Sequence, residues 1–286
     1  MTQATPADGL DLRRSRAAEL SALAALFVLT LRQRTHGRRM LVLGLLYALP
    51  CVLAVILRSL NQPAPSDVLE FALVFTLLPH GLAPLTALLY AAGVVQDEVE
   101  EQTLTYLLLR SLPRWALYVT KLLATLCVTT LLVTAATVAL YAVIHWGTPG
   151  FWGEVMPVRA ARAAGVMALA QVGYCALFGF VGLFTRRSLI VGVGYIVAVE
   201  GVLASIDFVA RSLTVVYYVR TLVLRWLGLP DELQRRFLGD WGMDLKKIPT
   251  AESAVRTLLV AGVVVTVLTA LWFARREFRV KTPEGS

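Results

Sequence analysis

Residues 96–121, QDEVEEQTLTYLLLRSLPRWALYVTK, separate two long apolar runs and are both charged and helix-prone. Asp97, Glu98, Glu100 and Glu101 crowd the start of a helical pattern, where carboxylates face the positive end of the helix dipole. Arg110 and Arg114 sit at its other end. Leu104, Leu107, Leu108 and Leu112 recur at three- and four-residue spacing, and Pro113 ends the pattern by biasing Leu112 towards an extended backbone. The stretch predicts a short amphipathic rod with an acidic start, then a turn, then an apolar helix.

The runs on either side of the rod set the class of protein. The chain has 286 residues, of which 57% are hydrophobic and 16% charged, too little polar surface for a soluble domain. It reads as an all-α integral membrane protein. The net charge of +8 follows from Lys and Arg kept on the cytoplasmic side of such proteins. The basic residues form no stripe interleaved with exposed aromatics, which argues against a nucleic-acid partner. Cys51, Cys127 and Cys175 fall in separate apolar runs without a CxxC pair, as plain small apolar residues do. Charged residues from Asp8 to Glu19 occupy the place of a signal-peptide core, so no cleaved leader is expected.

Six spans are predicted. Residues 1–39 form an N-terminal arm in which Leu20, Leu23, Phe27 and Leu31 share a face and Arg32, Arg34, Arg38 and Arg39 follow, the pattern of a helix lying on the cytoplasmic membrane surface. The alternative is the start of an overlong first span. Residues 40–57 make the first span and 68–95 the second, with Pro79, His80, Gly81 and Pro84 near its middle. These prolines remove backbone donors, so the helix should kink or unwind and its freed carbonyls need partners inside the bundle. His80 is a candidate ligand or proton carrier, or else it satisfies such a carbonyl.

Residues 115–145 form the third span, with Lys121 near its start, and 160–185 the fourth, whose small residues (Gly165, Ala168, Gly173, Ala176, Gly179, Gly182) predict a central, closely packed helix. The fifth, 188–210, carries Glu200 deep in an apolar run. That carboxylate is either functional or neutral and bonded to an open backbone group of the kinked second span. Residues 211–251 form an external loop in which 213–227, interrupted by Arg220 and Arg225, suits a re-entrant or surface helix. The sixth span, about 255–274, completes a transmembrane domain of residues 40–275, followed by a basic tail, 276–286. The distribution of Arg and Lys in short loops places both termini in the cytoplasm; Arg159 and Arg162, at the outer start of the fourth span, run against it.

This order resembles the permease subunits of ABC-2 type exporters. Glu100, Glu101, Thr103, Leu104, Pro113, Arg114, Trp115 and Lys121 match the family's stretch after the second span, and the Glu200-Gly201 pair looks like a feature of some bacterial members. Gln102 stands where many relatives have Gly. The resemblance implies a cytoplasmic coupling helix over residues 96–114, a location in the cytoplasmic (inner) membrane, and an assembly of two permeases, as homodimer or heterodimer, with two ABC ATPase subunits.

No G-x-x-x-x-G-K-[ST] occurs in the chain, so no cofactor of its own is expected, and ATP and Mg would sit on the partner ATPase. The ATPase-coupling candidates are Asp97, Glu98, Glu100, Glu101, Thr103, Leu104, Leu107, Leu108, Arg110, Pro113 and Arg114; the intramembrane candidates are Glu200 and His80. Competing readings are a secondary transporter, which needs a repeat and paired ionisable groups at the midplane, and a non-transporting membrane anchor of an ATPase complex. An intramembrane enzyme fits poorly, because His36, His80 and His145 are scattered and the acids cluster outside the spans. No catalytic or metal site is assigned.

Overall fold

The computed structural model describes residues 6–60, 65–100, 113–147, 153, 155–185, 187–205 and 209–275. Its elements are helices: α1 (Pro6–His36), α2 (Arg38–Ser59), α3 (Ser66–Asp97), α4 (Arg114–His145), α5 (Val155–Phe184), α6 (Ser188–Tyr195), α7 (Val215–Trp226), α8 (Asp231–Asp240) and α9 (Ala251–Arg275). Of the rod, Glu101, Thr103, Leu104, Leu107, Leu108 and Arg110 lie outside the described residues, as do the side chains of Glu98 and Glu100 and the tail 276–286.

Among the described residues five helices, α2, α3, α4, α5 and α9, are long and apolar enough to cross a membrane. Even the 22 residues of α2 extend to about 33 Å, enough for a hydrocarbon core of roughly 30 Å. α2 and α9 turn rows of large apolar side chains outwards, Leu41, Leu45, Leu49 and Val52 on one and Val260, Val263, Val267 and Leu271 on the other. Such faces are stable against lipid and not against water. The chain is thus an all-α protein of the multi-pass membrane type.

The fifth expected span is not one continuous helix. After α6 the backbone passes into a π-helix, Ile196–Val202, then 3-10 turns at Leu203–Ser205 and Val209–Leu213, before α7 begins. α6 starts at the end of the bundle that carries α1, where Ser188 Oγ donates to Gln96 Oε1 at 2.6 Å. α7 finishes at the opposite, far end, where Arg162 Nη1 donates to the Trp226 carbonyl at 2.9 Å. Two half-helices in series therefore run the length of the bundle. α7, expected as re-entrant or surface-lying, is buried from Val215 to Leu224 at all but Tyr218 and packs on α3, α5 and α9, so it belongs to the interior. Gly228, at φ +61°, supplies the left-handed turn that ends it.

α5 is the central helix, as its small residues predict, with α3, α4, α7 and α9 around it. The approach to α3 is backbone against backbone: a Cβ on Gly182 would stand 2.7 Å from Ala92 Cα. At Gly173 a Cβ would meet Val215 of α7 at 3.2 Å. α8 covers the far end of α3 through a cluster of rings, with Phe71 and Phe237 centroids 4.6 Å apart and Trp241 5.5 Å from Phe71. At the near end α1 lies along α4, Leu26 packing on Leu117.

Gly182→Ala should lower the stability of the purified protein by about 1–3 kcal/mol, because neither backbone can yield. Gly165→Ala in the same helix, where nothing lies within 4 Å of the added methyl, should leave it unchanged or raise it. Thermal unfolding in detergent measures both.

Candidate functional site

Polar side chains gather at three levels of the bundle. At the near end the root of the acidic rod is held by the chain itself. Asp97 Oδ2 accepts from Arg34 Nη1 at 3.0 Å and from Arg39 Nη1 at 2.8 Å, while Oδ1 accepts from Arg39 Nη2 at 3.0 Å. Arg34 belongs to α1 and Arg39 to α2, so one carboxylate joins three helices. Arg34 Nη2 also donates to the Gly93 carbonyl at 3.2 Å, and Tyr90 donates its hydroxyl to the Arg34 carbonyl at 3.1 Å. Burial pushes the Arg34 guanidinium below its ordinary value and Asp97 pulls it back up, as expected for a charge that leaves water for a carboxylate partner.

Gln96 completes the root on the other side. Its amide donates to the Thr185 carbonyl and accepts from Ser188, linking α3 to the turn between α5 and α6. Pro113, at the far side of the rod, is the N-cap of α4, its carbonyl accepting from Ala116 at 3.0 Å, and Arg114 begins that helix. Asp97 is thus neutralised within the chain. The side chains of Glu98, Glu100 and Glu101 lie outside the described residues.

At mid-depth the second span answers its prolines as expected. The segment Glu70–Leu82 is π-helical, and Ala83 donates to the Leu78 carbonyl five residues back. The next residue is Pro84, which has no N–H, so in this register the Pro79 carbonyl is left open. Tyr174 of α5 donates its hydroxyl to it at 3.0 Å, and Gln171, a turn earlier, donates to the Ala83 carbonyl at 3.0 Å. His80 turns Nδ1 to the Thr76 carbonyl at 2.8 Å and Nε2 to Arg220 Nη2 at 2.7 Å. The first contact requires a proton on Nδ1 and the second a lone pair on Nε2, so the network assigns a neutral ring.

Glu200 is buried, and its partner is α7 rather than the second span. Oε1 accepts from the Val215 amide at 3.1 Å and from the Tyr195 hydroxyl at 2.9 Å, and Oε2 accepts from the Val216 amide at 2.9 Å. The Thr214 hydroxyl takes the next amide, Tyr217, at 3.2 Å. A helix that starts inside an apolar bundle exposes four donors; three are met here, by a carboxylate on the preceding half-helix and an N-cap threonine. Arg220 meets the end of that half-helix, donating to the Ala204 carbonyl at 2.9 Å, and its guanidinium lies 5.6 Å from the Trp241 ring.

The third level was not visible in the sequence reading. Near the far ends of α3, α4 and α5, Glu70 is 1% exposed and accepts from Tyr141 at 2.5 Å, with Arg159 Nη2 3.0 Å from the same oxygen and His145 Nε2 3.5 Å from the other. Glu70 falls within the second expected span, three residues after Asp67, and its neighbours in sequence do not single it out. The signal for the pair was Arg159, which runs against the charge bias expected of the short loops. Its neighbour Arg162 answers the Trp226 carbonyl. Among the described residues no group of His, Cys, Asp and Glu is arranged to hold a metal ion.

No family model matches the chain, and no curated protein does.

Glu200→Gln should be disruptive despite its equal size, because its amide nitrogen would face the Val216 N–H. The expected loss is about 1–3 kcal/mol in thermal unfolding, and Glu200→Ala should lose more. An unperturbed Gln variant would show that the carboxylate does not hold the start of α7.

Proposed function

We propose that the chain is the permease subunit of an ATP-driven exporter of the ABC-2 type, with the broken α6–α7 pair counted as the fifth of six spans and both termini in the cytoplasm of a cell with an inner membrane. The observation that carries this reading is the root of the acidic rod. Asp97 and Gln96 fasten it to α1, α2 and the α5–α6 turn at once. A force applied to the rod from the cytosol is therefore delivered to the near ends of most of the bundle and not absorbed by one loop.

In this reading the partner ATPase binds and hydrolyses ATP, and this chain supplies the lever and the path. Glu98, Glu100 and Glu101 meet basic residues of the ATPase, where charge complementarity fixes partner and register. Leu104, Leu107 and Leu108 pack on the ATPase or the bundle, and Arg110, Pro113 and Arg114 turn the chain back into α4. α1, which holds the root at Asp97, widens the docking surface. Two permeases and two ATPases make the working unit.

One observation favours a second reading, a secondary transporter. Ionisable side chains are paired inside the bundle, Glu70 with Arg159 and His80 with Arg220, whereas the sequence placed Glu200 there alone. Such pairs mark ion and proton paths in that class. The sequence shows no internal repeat to go with them.

Affinity purification of the tagged chain from its native membranes distinguishes the two. An ATPase subunit should be retained, and the double charge reversal Glu100→Lys/Glu101→Lys should cut its recovery by about tenfold while leaving the chain inserted. Recovery of the chain alone, or an ATPase held equally well by the reversed variant, would overturn the permease reading.

A further inference from the structure

Buried charges cluster at the far end of the bundle. Side chains join the far ends of the helices into groups: Arg58 donates to the Val143, Ile144 and Trp146 carbonyls, fastening α2 to α4. Arg162 fastens α5 to α7, and the Phe71, Phe237 and Trp241 rings fasten α3 to α8. Glu70 of α3, Tyr141 and His145 of α4 and Arg159 of α5 touch across all three groups.

We infer that Glu70, Tyr141, His145 and Arg159 form an ion-paired lock that holds the far face of the bundle shut, and that separating Glu70 from Arg159 opens that face. This rests on the transport reading, in which the far face must open. The argument comes from how the cluster is satisfied. The Arg159–Glu70 pair is almost wholly out of solvent, with side chains 7% and 1% exposed. A static staple would gain from complete hydrogen bonding, yet Glu70 Oε2 has only the 3.5 Å contact with His145 Nε2 and Arg159 Nε has no hydrogen-bond partner among the described residues. Buried polar atoms left unmade raise the energy of the closed state, and water entering from the far end would satisfy them. Both groups are then stable in two situations, paired when closed and hydrated when open. An apolar pair would favour only the first, since replacing a buried ion pair by well-packed apolar groups is often neutral or stabilising.

The test follows from that asymmetry. In a chain carrying Cys51→Ala, Cys127→Ala and Cys175→Ala, Val74→Cys places a thiol four residues further into α3, at a side chain that is fully buried. The purified protein in nanodiscs is labelled with a charged maleimide, and the rate is the measurement. Arg159→Met strands the Glu70 carboxylate and should speed labelling by roughly tenfold, because that charge is stable only when water reaches it. Glu70→Leu with Arg159→Met should label no faster than the parent. Mere loosening of the structure would speed both alike, and that result would overturn the lock.

Should Arg159→Met fail to fold, Glu70→Gln keeps the shape and the Tyr141 contact while removing the charge attraction. It should label faster than the parent, and an unchanged rate would also overturn the proposal. A chain that copurifies with no ATPase removes the permease reading without altering this comparison. Equal labelling of all variants removes the lock and leaves that reading standing.

Discussion

Backbone that departs from the α-helical ladder inside an apolar bundle has no water to turn to, so each freed N–H or carbonyl must be met by a side chain. Among the described residues the chain departs from the ladder in α3 and again between α6 and α7. In α3 the π-register places the missing donor of Pro84 opposite the Pro79 carbonyl, and Tyr174 fills it. Between α6 and α7 the ladder gives way to a π-helix and 3-10 turns, and Glu200 and Thr214 take the amides that begin the second half-helix. The partners come from α5 and from the neighbouring half-helix, so irregular backbone and close packing are one feature. Gly182 and Gly173 bring α5 within reach of both breaks, and the polar residues of α5 make use of that proximity.

How much of this can be read from the residues depends on whether the signal is local. Apolar runs and basic loop ends mark α2, α3, α4, α5 and α9, and small residues single out α5, because periodicity and residue size are properties of each segment alone. The prolines of α3 announce broken backbone and a need for partners, and a role for His80 in meeting a carbonyl follows from its place beside them. The identity of the other partners does not follow. Arg220 lies 140 positions from His80 in the chain, and only the packing of α7 against α3 unites them.

The fifth span shows the limit from the other side. Residues 188–210 are apolar enough to read as continuous, and no proline or run of charges marks the break after Val202. The break is stabilised from outside the segment, by the start of α7. Glu200 was correctly singled out as a buried acid needing a partner, but that partner was sought on the kinked second span when it lay 15 residues ahead in the same chain. Glu70 is the converse case. It is an acid that its own segment does not single out, and its burial becomes evident only when α5 supplies Arg159.

The distribution of charge acquires a physical sense once these partners are known. Arg159 and Arg162 run against the charge bias expected of the short loops, and each has a local partner, a carboxylate in one case and a helix-end carbonyl in the other. At the near end Arg34 and Arg39 likewise serve a carboxylate. Desolvation makes the two ends unequal. Asp97 remains 25% exposed and Arg39 49%, so water screens that pair and its rupture is inexpensive. Glu70 and Arg159 are sealed, and breaking their contact is costly unless water replaces it at once. A displacement that begins at the near end can therefore proceed by small, reversible exchanges with solvent, whereas the far end responds only when the bundle parts enough to be wetted. That difference gives the molecule a soft end and a stiff end along the same helices, an ordering that a continuous helical bundle of uniform apolar packing would lack.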